Sequence, residues 1–63
     1  MLTWYDFNGL NEAEKAEAVW KGTFLSNRAE GNLTVQLYSL GAFWVEVYYD
    51  SLSNKIVRFN AFR

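Results

Sequence analysis

Three triplets punctuate this chain from residue 29 onward: Ala29-Glu30-Gly31, Ser39-Leu40-Gly41 and Leu52-Ser53-Asn54. Each ends in a residue that tolerates positive φ. That is the pattern of a three-residue hairpin loop, a type I turn followed by a left-handed residue that forms a bulge. Three such loops within 63 residues leave room for four short antiparallel strands and little else. They also set the register: Arg28 falls opposite Asn32, Tyr38 opposite Ala42, and Ser51 opposite Lys55. Counting back from these pairs places Leu25, Val35, Val45 and Ala61 in one row. Thr23, Leu37 and Phe43 make a second row, and Leu33, Val47 and Phe59 a third. One face of the meander is then almost wholly apolar, and a one-residue slip in any hairpin would spoil it.

Upstream, Asn11-Glu12-Ala13-Glu14 reads as a helix start. The Asn11 side chain can accept from the third helical amide while Glu14 reaches back in a capping box. Ala13, Ala16, Val19 and Trp20 follow at helical spacing on one face. Lys21-Gly22 supplies a cation in the last turn and a glycine suited to a left-handed cap. The pattern predicts an α+β fold in one domain spanning 1–63. A helix at about 11–21 packs on a four-stranded antiparallel meander of strands at about 23–28, 32–39, 42–50 and 55–62. Residues 1–9 form an aromatic N-terminal arm.

The helix covers one face of that sheet, and the apolar face is the one that requires it. The other face is unusual, because the same register assembles rings there. Phe24, Gln36, Trp44 and Phe62 form one row, Ser26, Thr34, Glu46 and Asn60 the next, then Arg28, Tyr48 and Arg58. Three covers are open for this stripe. The segment Leu2–Phe7 folds across it; or that segment packs at the helix–sheet edge or adds a fifth strand, leaving the stripe to a second copy; or the stripe binds another molecule. Trp, Tyr and Arg dominate interface hot spots. Phe24, Tyr38, Trp44, Glu46, Tyr48, Arg58 and Phe62 are therefore the candidate partner-binding residues, with the chain itself or another protein as the partner. The edge strands 23–28 and 55–62 offer a further route to pairing, with Lys55 and Arg58 partly guarding the latter.

Chemistry has little to work with. The chain has no Cys and no His, which removes disulfides, thiolate ligands, the cysteine nucleophile and the commonest general base. Glu46 and Asp50 on one strand face lie roughly 13 Å apart at strand rise, too far for a glycosidase-type carboxylate pair. Glu12, Glu14 and Glu17 read as a capped, solvated helix face, and the four glycines have no phosphate-binding spacing. No catalytic, metal or cofactor residue is assigned, and the expectation is a non-enzymatic interaction module. An alternative is single-stranded nucleic-acid binding, since Arg28 and Arg58 flank Tyr48 near Trp44 and Phe62 and such rings stack bases. The formal net charge of −1 and a glutamate in mid-face argue against it. The N-terminus has no signal-peptide pattern, and no run approaches the ~20 apolar residues of a membrane span. Absence of Cys fits a reducing cytoplasm.

From Ala18-Val19-Trp20 through Leu37-Tyr38 to Phe43-Trp44-Val45-Glu46-Val47-Tyr48-Tyr49, ending with Asn54, Ile56 and Phe62, the chain resembles a group of short uncharacterised bacterial proteins. In these an LY strand is followed by an FYVEVYY-like strand. Trp44 stands where the group has Tyr. Its members continue beyond the last strand, whereas this sequence stops at Arg63, so the resemblance implies that a C-terminal element covering part of the sheet is missing here. The resemblance implies no cofactor and no reaction.

Overall fold

A computed structural model describes residues 2–63. Its first element lies where the sequence pattern suggested only an arm. Thr3 Oγ1 accepts from the Asp6 amide and the Asp6 carboxylate accepts from the Thr3 amide, both at 3.1 Å. This reciprocal cap opens a short helix, α1, Trp4–Asn8. The Thr3-x-x-Asp6 spacing is the local signal for it. Five residues cannot hold a helix by propensity; tertiary packing does. Phe7 is fully buried, 5.7 Å from the Phe43 ring centroid and 6.1 Å from that of Phe59. The second helix, α2, Glu12–Trp20, starts as its sequence predicts, with Asn11 and Glu14 exchanging bonds of 2.9 and 3.0 Å.

Four strands follow, β1 Thr23–Glu30, β2 Leu33–Ser39, β3 Trp44–Asp50 and β4 Lys55–Phe62, in one antiparallel sheet of order β1-β2-β3-β4. The α+β architecture is the expected one, and β3 begins at Trp44 rather than Ala42. The register differs. Glu30 pairs with Leu33 across a two-residue loop, Gly31-Asn32, in which Gly31 takes φ +60°. Leu40 and Phe43 are joined by a backbone bond of 2.9 Å across Gly41-Ala42, with Gly41 at φ +92°. Glycine thus stands first in a two-residue loop, the place it takes in a type II′ turn, not last in a three-residue one. The third loop runs 51–54 between Asp50 and Lys55 and closes on Asn54 at φ +61°. Asp50 Oδ1 accepts from the Leu52 and Ser53 amides within it.

The expected loops therefore put β1–β2 and β2–β3 out by three residues. An odd error moves every side chain of β2 to the opposite face. Thr34, Gln36 and Tyr38 share the helix side with Tyr49, Val47 and Val45; Leu33, Val35 and Leu37 lie on the other side with Asp50, Tyr48 and Glu46. The rows expected to unite Leu25 with Val35 and Val45, Leu37 with Phe43, and Leu33 with Val47 do not exist. Between β3 and β4 the expected pairs hold from Trp44–Phe62 to Tyr48–Arg58, because a bulge at Val57 absorbs the one-residue difference.

Phe7, Val19, Phe43, Val45 and Val47 form the buried core, flanked by Leu2, Trp4, Leu10, Ala18, Leu40, Ile56, Phe59 and Ala61. α1 packs against β4, where the Trp4 indole N–H donates to the Ala61 carbonyl at 2.9 Å, and the end of α2 reaches β2 through Trp20 and Tyr38. All of β1 is exposed. The N-terminal arm thus belongs to the core on the helix side and leaves the other face uncovered.

Candidate functional site

The uncovered face is built by alternation. In antiparallel pairs, directly opposed residues share a side. Arg28, Val35, Tyr48 and Arg58 form one row across all four strands, and Ser26, Leu37, Glu46 and Asn60 the next. Trp44 and Phe62 follow beside Ser39. Five of the seven residues singled out from sequence, Trp44, Glu46, Tyr48, Arg58 and Phe62, are brought together here.

Glu46 is the polar centre of the face. Its carboxylate accepts from Asn60 Nδ2 at 3.0 Å, Arg28 Nη2 at 3.2 Å and the Tyr48 hydroxyl at 3.4 Å. The Asn60 bond, then the Arg28 bond and charge, then Tyr48, hold the carboxyl below its ordinary range against a smaller opposing effect of burial. Arg28 reaches Glu30 as well, at 2.7 Å, and the two carboxylates push its guanidinium further up from an already high value. The Arg58 guanidinium lies 3.8 Å over the Tyr48 ring centroid. This lattice explains why Tyr48 and Val35 are buried on a face that no helix covers. The ring of Trp44 escapes it. Trp44 and Phe62 stack with centroids 6.0 Å apart and planes at 20°, and remain 40% and 39% exposed.

Phe24 and Tyr38 are elsewhere. A bulge at Leu25 shifts the β1 register between Phe24 and Ser26, so Phe24 pairs with Tyr38 on the helix side. There the Tyr38 ring centroid lies 5.5 Å from that of Phe24 and 5.7 Å from that of Trp20. Burial among these rings pushes the Tyr38 hydroxyl up. Sequence reasoning also missed the apolar row of Leu33, Val35 and Leu37, which runs through the middle of the face. The Gly31-Asn32 dipeptide, a two-residue turn signal, could have revealed it.

A second concavity, an open groove of about 640 Å³, lies on the helix side among Leu2, Leu10, Ala18 and Leu40. Its charged rim is already engaged: Glu14 caps α2, and Glu17 pairs with Lys21. Among the described residues no group of three or more acidic side chains is placed to hold a metal ion, and no helix is long and apolar enough to cross a membrane. Total accessible surface is 4222 Å², close to the roughly 4,200 Å² expected for a 7.3 kDa monomer. What is unusual is local, the rings on one face. Comparison with protein-family models, with curated proteins and with solved structures gives no match.

Proposed function

We propose that the chain is a non-enzymatic interaction module that docks a protein surface, first of all that of a second copy, on the sheet face bearing Trp44 and Phe62. The observation that carries this reading is the stacked, half-exposed Trp44–Phe62 pair beside a polar lattice whose members already satisfy one another. A partner can cover the Arg28–Glu46–Asn60 part of the face without stranding a charge, while the Arg58 guanidinium rests on the Tyr48 ring. Arg28 and Arg58 are balanced by Glu30 and Glu46, so the face does not repel its own copy. Glu46, held as a carboxylate, is shifted in the wrong direction for a general acid. A cytoplasmic setting belongs to the same reading, supported by the absence of Cys.

The Arg58–Tyr48 stack beside Trp44 and Phe62 favours the second reading, single-stranded nucleic acid. Glu46 in mid-face and the engagement of both arginines oppose it. One concentration series decides. On self-docking, the Trp44 indole and Phe62 ring resonances move together with concentration while Trp20 does not, and Trp44→Ser abolishes the effect with the fold intact. A Trp44 signal constant up to NMR concentrations sinks the reading. A shift seen only with labelled oligonucleotide, and lost in salt, replaces it with the second.

A further inference from the structure

The sheet has two edges, β1 and β4, and they are unlike. The β4 edge is attended: α1 packs against the strand, Trp4 donates to the Ala61 carbonyl, a bulge sits at Val57, and Lys55 and Arg58 punctuate it. These are recognised ways to blunt an edge. β1 has a bulge only near its start, at Leu25; from Ser26 to Glu30 it pairs regularly with β2. It contains neither Lys nor Pro, its two charges, Arg28 and Glu30, are of opposite sign and paired with each other, every residue is exposed, and among the described residues nothing pairs with its outer side.

In a two-residue hairpin the residues flanking the loop exchange the backbone bonds, and the ladder alternates from there. Glu30, Arg28 and Ser26 thus bond inward to β2, while Ala29 and Asn27 turn their N–H and C=O groups outward. Antiparallel self-pairing of this segment must exchange bonds through those outward residues, which leaves three two-fold pivots. A pivot at Arg28 sets Arg28 against its own copy. A pivot at Asn27 runs the ladder into the Leu25 bulge. A pivot at Ala29 sets Arg28 opposite Glu30 of the second copy, and Glu30 opposite its Arg28. On the other side of the ribbon it brings together only the small Ala29 pair and Asn27 with Gly31.

We propose that β1 pairs with β1 of a second copy about a two-fold axis at Ala29, joining two sheets edge to edge through a self-complementary Arg28/Glu30 charge pattern. Such an axis is perpendicular to the sheet, so both Trp44 faces look the same way and form one broadened docking surface. The paired segment is short, so the association is weak and salt-sensitive.

The test separates this contact from face docking. Sedimentation of the full chain shows a concentration-dependent dimer that Trp44→Ser retains and that Ala29→Pro loses. Proline at that place removes only an outward N–H, and circular dichroism checks that the fold persists. Arg28→Glu sets Glu against Glu at the pivot and Glu30→Arg sets Arg against Arg, so each variant alone is monomeric. An equimolar mixture of the two restores a heterodimer, because all cross-strand charges are then opposite. A dimer that survives Ala29→Pro, or a mixture that stays monomeric while wild type dimerises, overturns the proposal. So does a Trp44→Ser chain that is monomeric at every concentration; the first and last of these outcomes leave face docking standing.

Discussion

Gly22 and Gly31 resist substitution for different reasons. A Cβ at Gly22 would lie 2.7 Å from the Ser39 carbonyl oxygen, closer than real Cβ atoms come. A Cβ at Gly31 would meet nothing within 4 Å, but the residue holds φ +60°. Gly22→Ala therefore forces the α2–β1 connection away from β2, with an expected loss of about 1–3 kcal/mol, the usual range for overpacking. Gly31→Ala is expected to lose about 1–2 kcal/mol from the left-handed backbone alone. Asparagine tells them apart in urea unfolding: Gly31→Asn recovers most of the loss, because Asn tolerates that conformation, whereas Gly22→Asn is at least as damaging as alanine. The left-handed role of Gly31 is legible in a single residue and its neighbours. That of Gly22 is not, since its constraint is a carbonyl oxygen seventeen positions away, and the sequence pattern suggested a left-handed cap that the chain does not use.

Turns carried most of what could be read about the sheet, and also the main error. Among the described residues, the three positive-φ positions, Gly31, Gly41 and Asn54, lie where the sequence places them. Loop length is a weaker signal than loop location, and the two glycine hairpins are tighter than expected, which reverses the faces of β2. Two odd shifts cancel between β1 and β3, so Arg28 and Tyr48 share a row as expected, although Val35 rather than Asn32 lies between them. Only beyond the Leu25 bulge does the cancellation fail, and Phe24 leaves the face. Leu25 is half-exposed and outside the ladder, whose pairs Phe24–Tyr38 and Ser26–Leu37 would be contiguous without it. Deleting Leu25 is thus expected to preserve the fold with a change in stability within about 1 kcal/mol, since no fully buried group is lost. It also straightens the edge and strengthens β1 self-association. Thermal unfolding and sedimentation of the deletion variant check both; an unfolded chain would mean that the bulge organises β1.

The molecule as a whole is lopsided, with its buried core drawn from the two helices, β3 and the loop before it, and a β1 strand exposed along its length. A fold of this size is expected to be stable by only about 3–9 kcal/mol, so few side chains can be spared. Phe7 is one that cannot. It is fully buried, touches rings from the β2–β3 loop and from β4, and sits on a helix too short to stand alone. Nothing in the local pattern of residues 1–9 says on which side of a sheet its rings will pack, which is why the arm and its destination were the least legible part of the chain. Truncating a buried phenylalanine loses about 3–5 kcal/mol, comparable to the whole stability. Phe7→Ala is therefore expected to leave a largely unfolded population at room temperature, and removal of residues 1–9 to abolish cooperative unfolding. Phe7→Leu, which keeps most of the volume, folds with reduced stability. Dispersion of the amide spectrum together with chemical denaturation measures all three variants. A Phe7→Ala chain as stable as wild type would move α1 out of the core and return it to the role of an aromatic arm that can reach the Trp44 face.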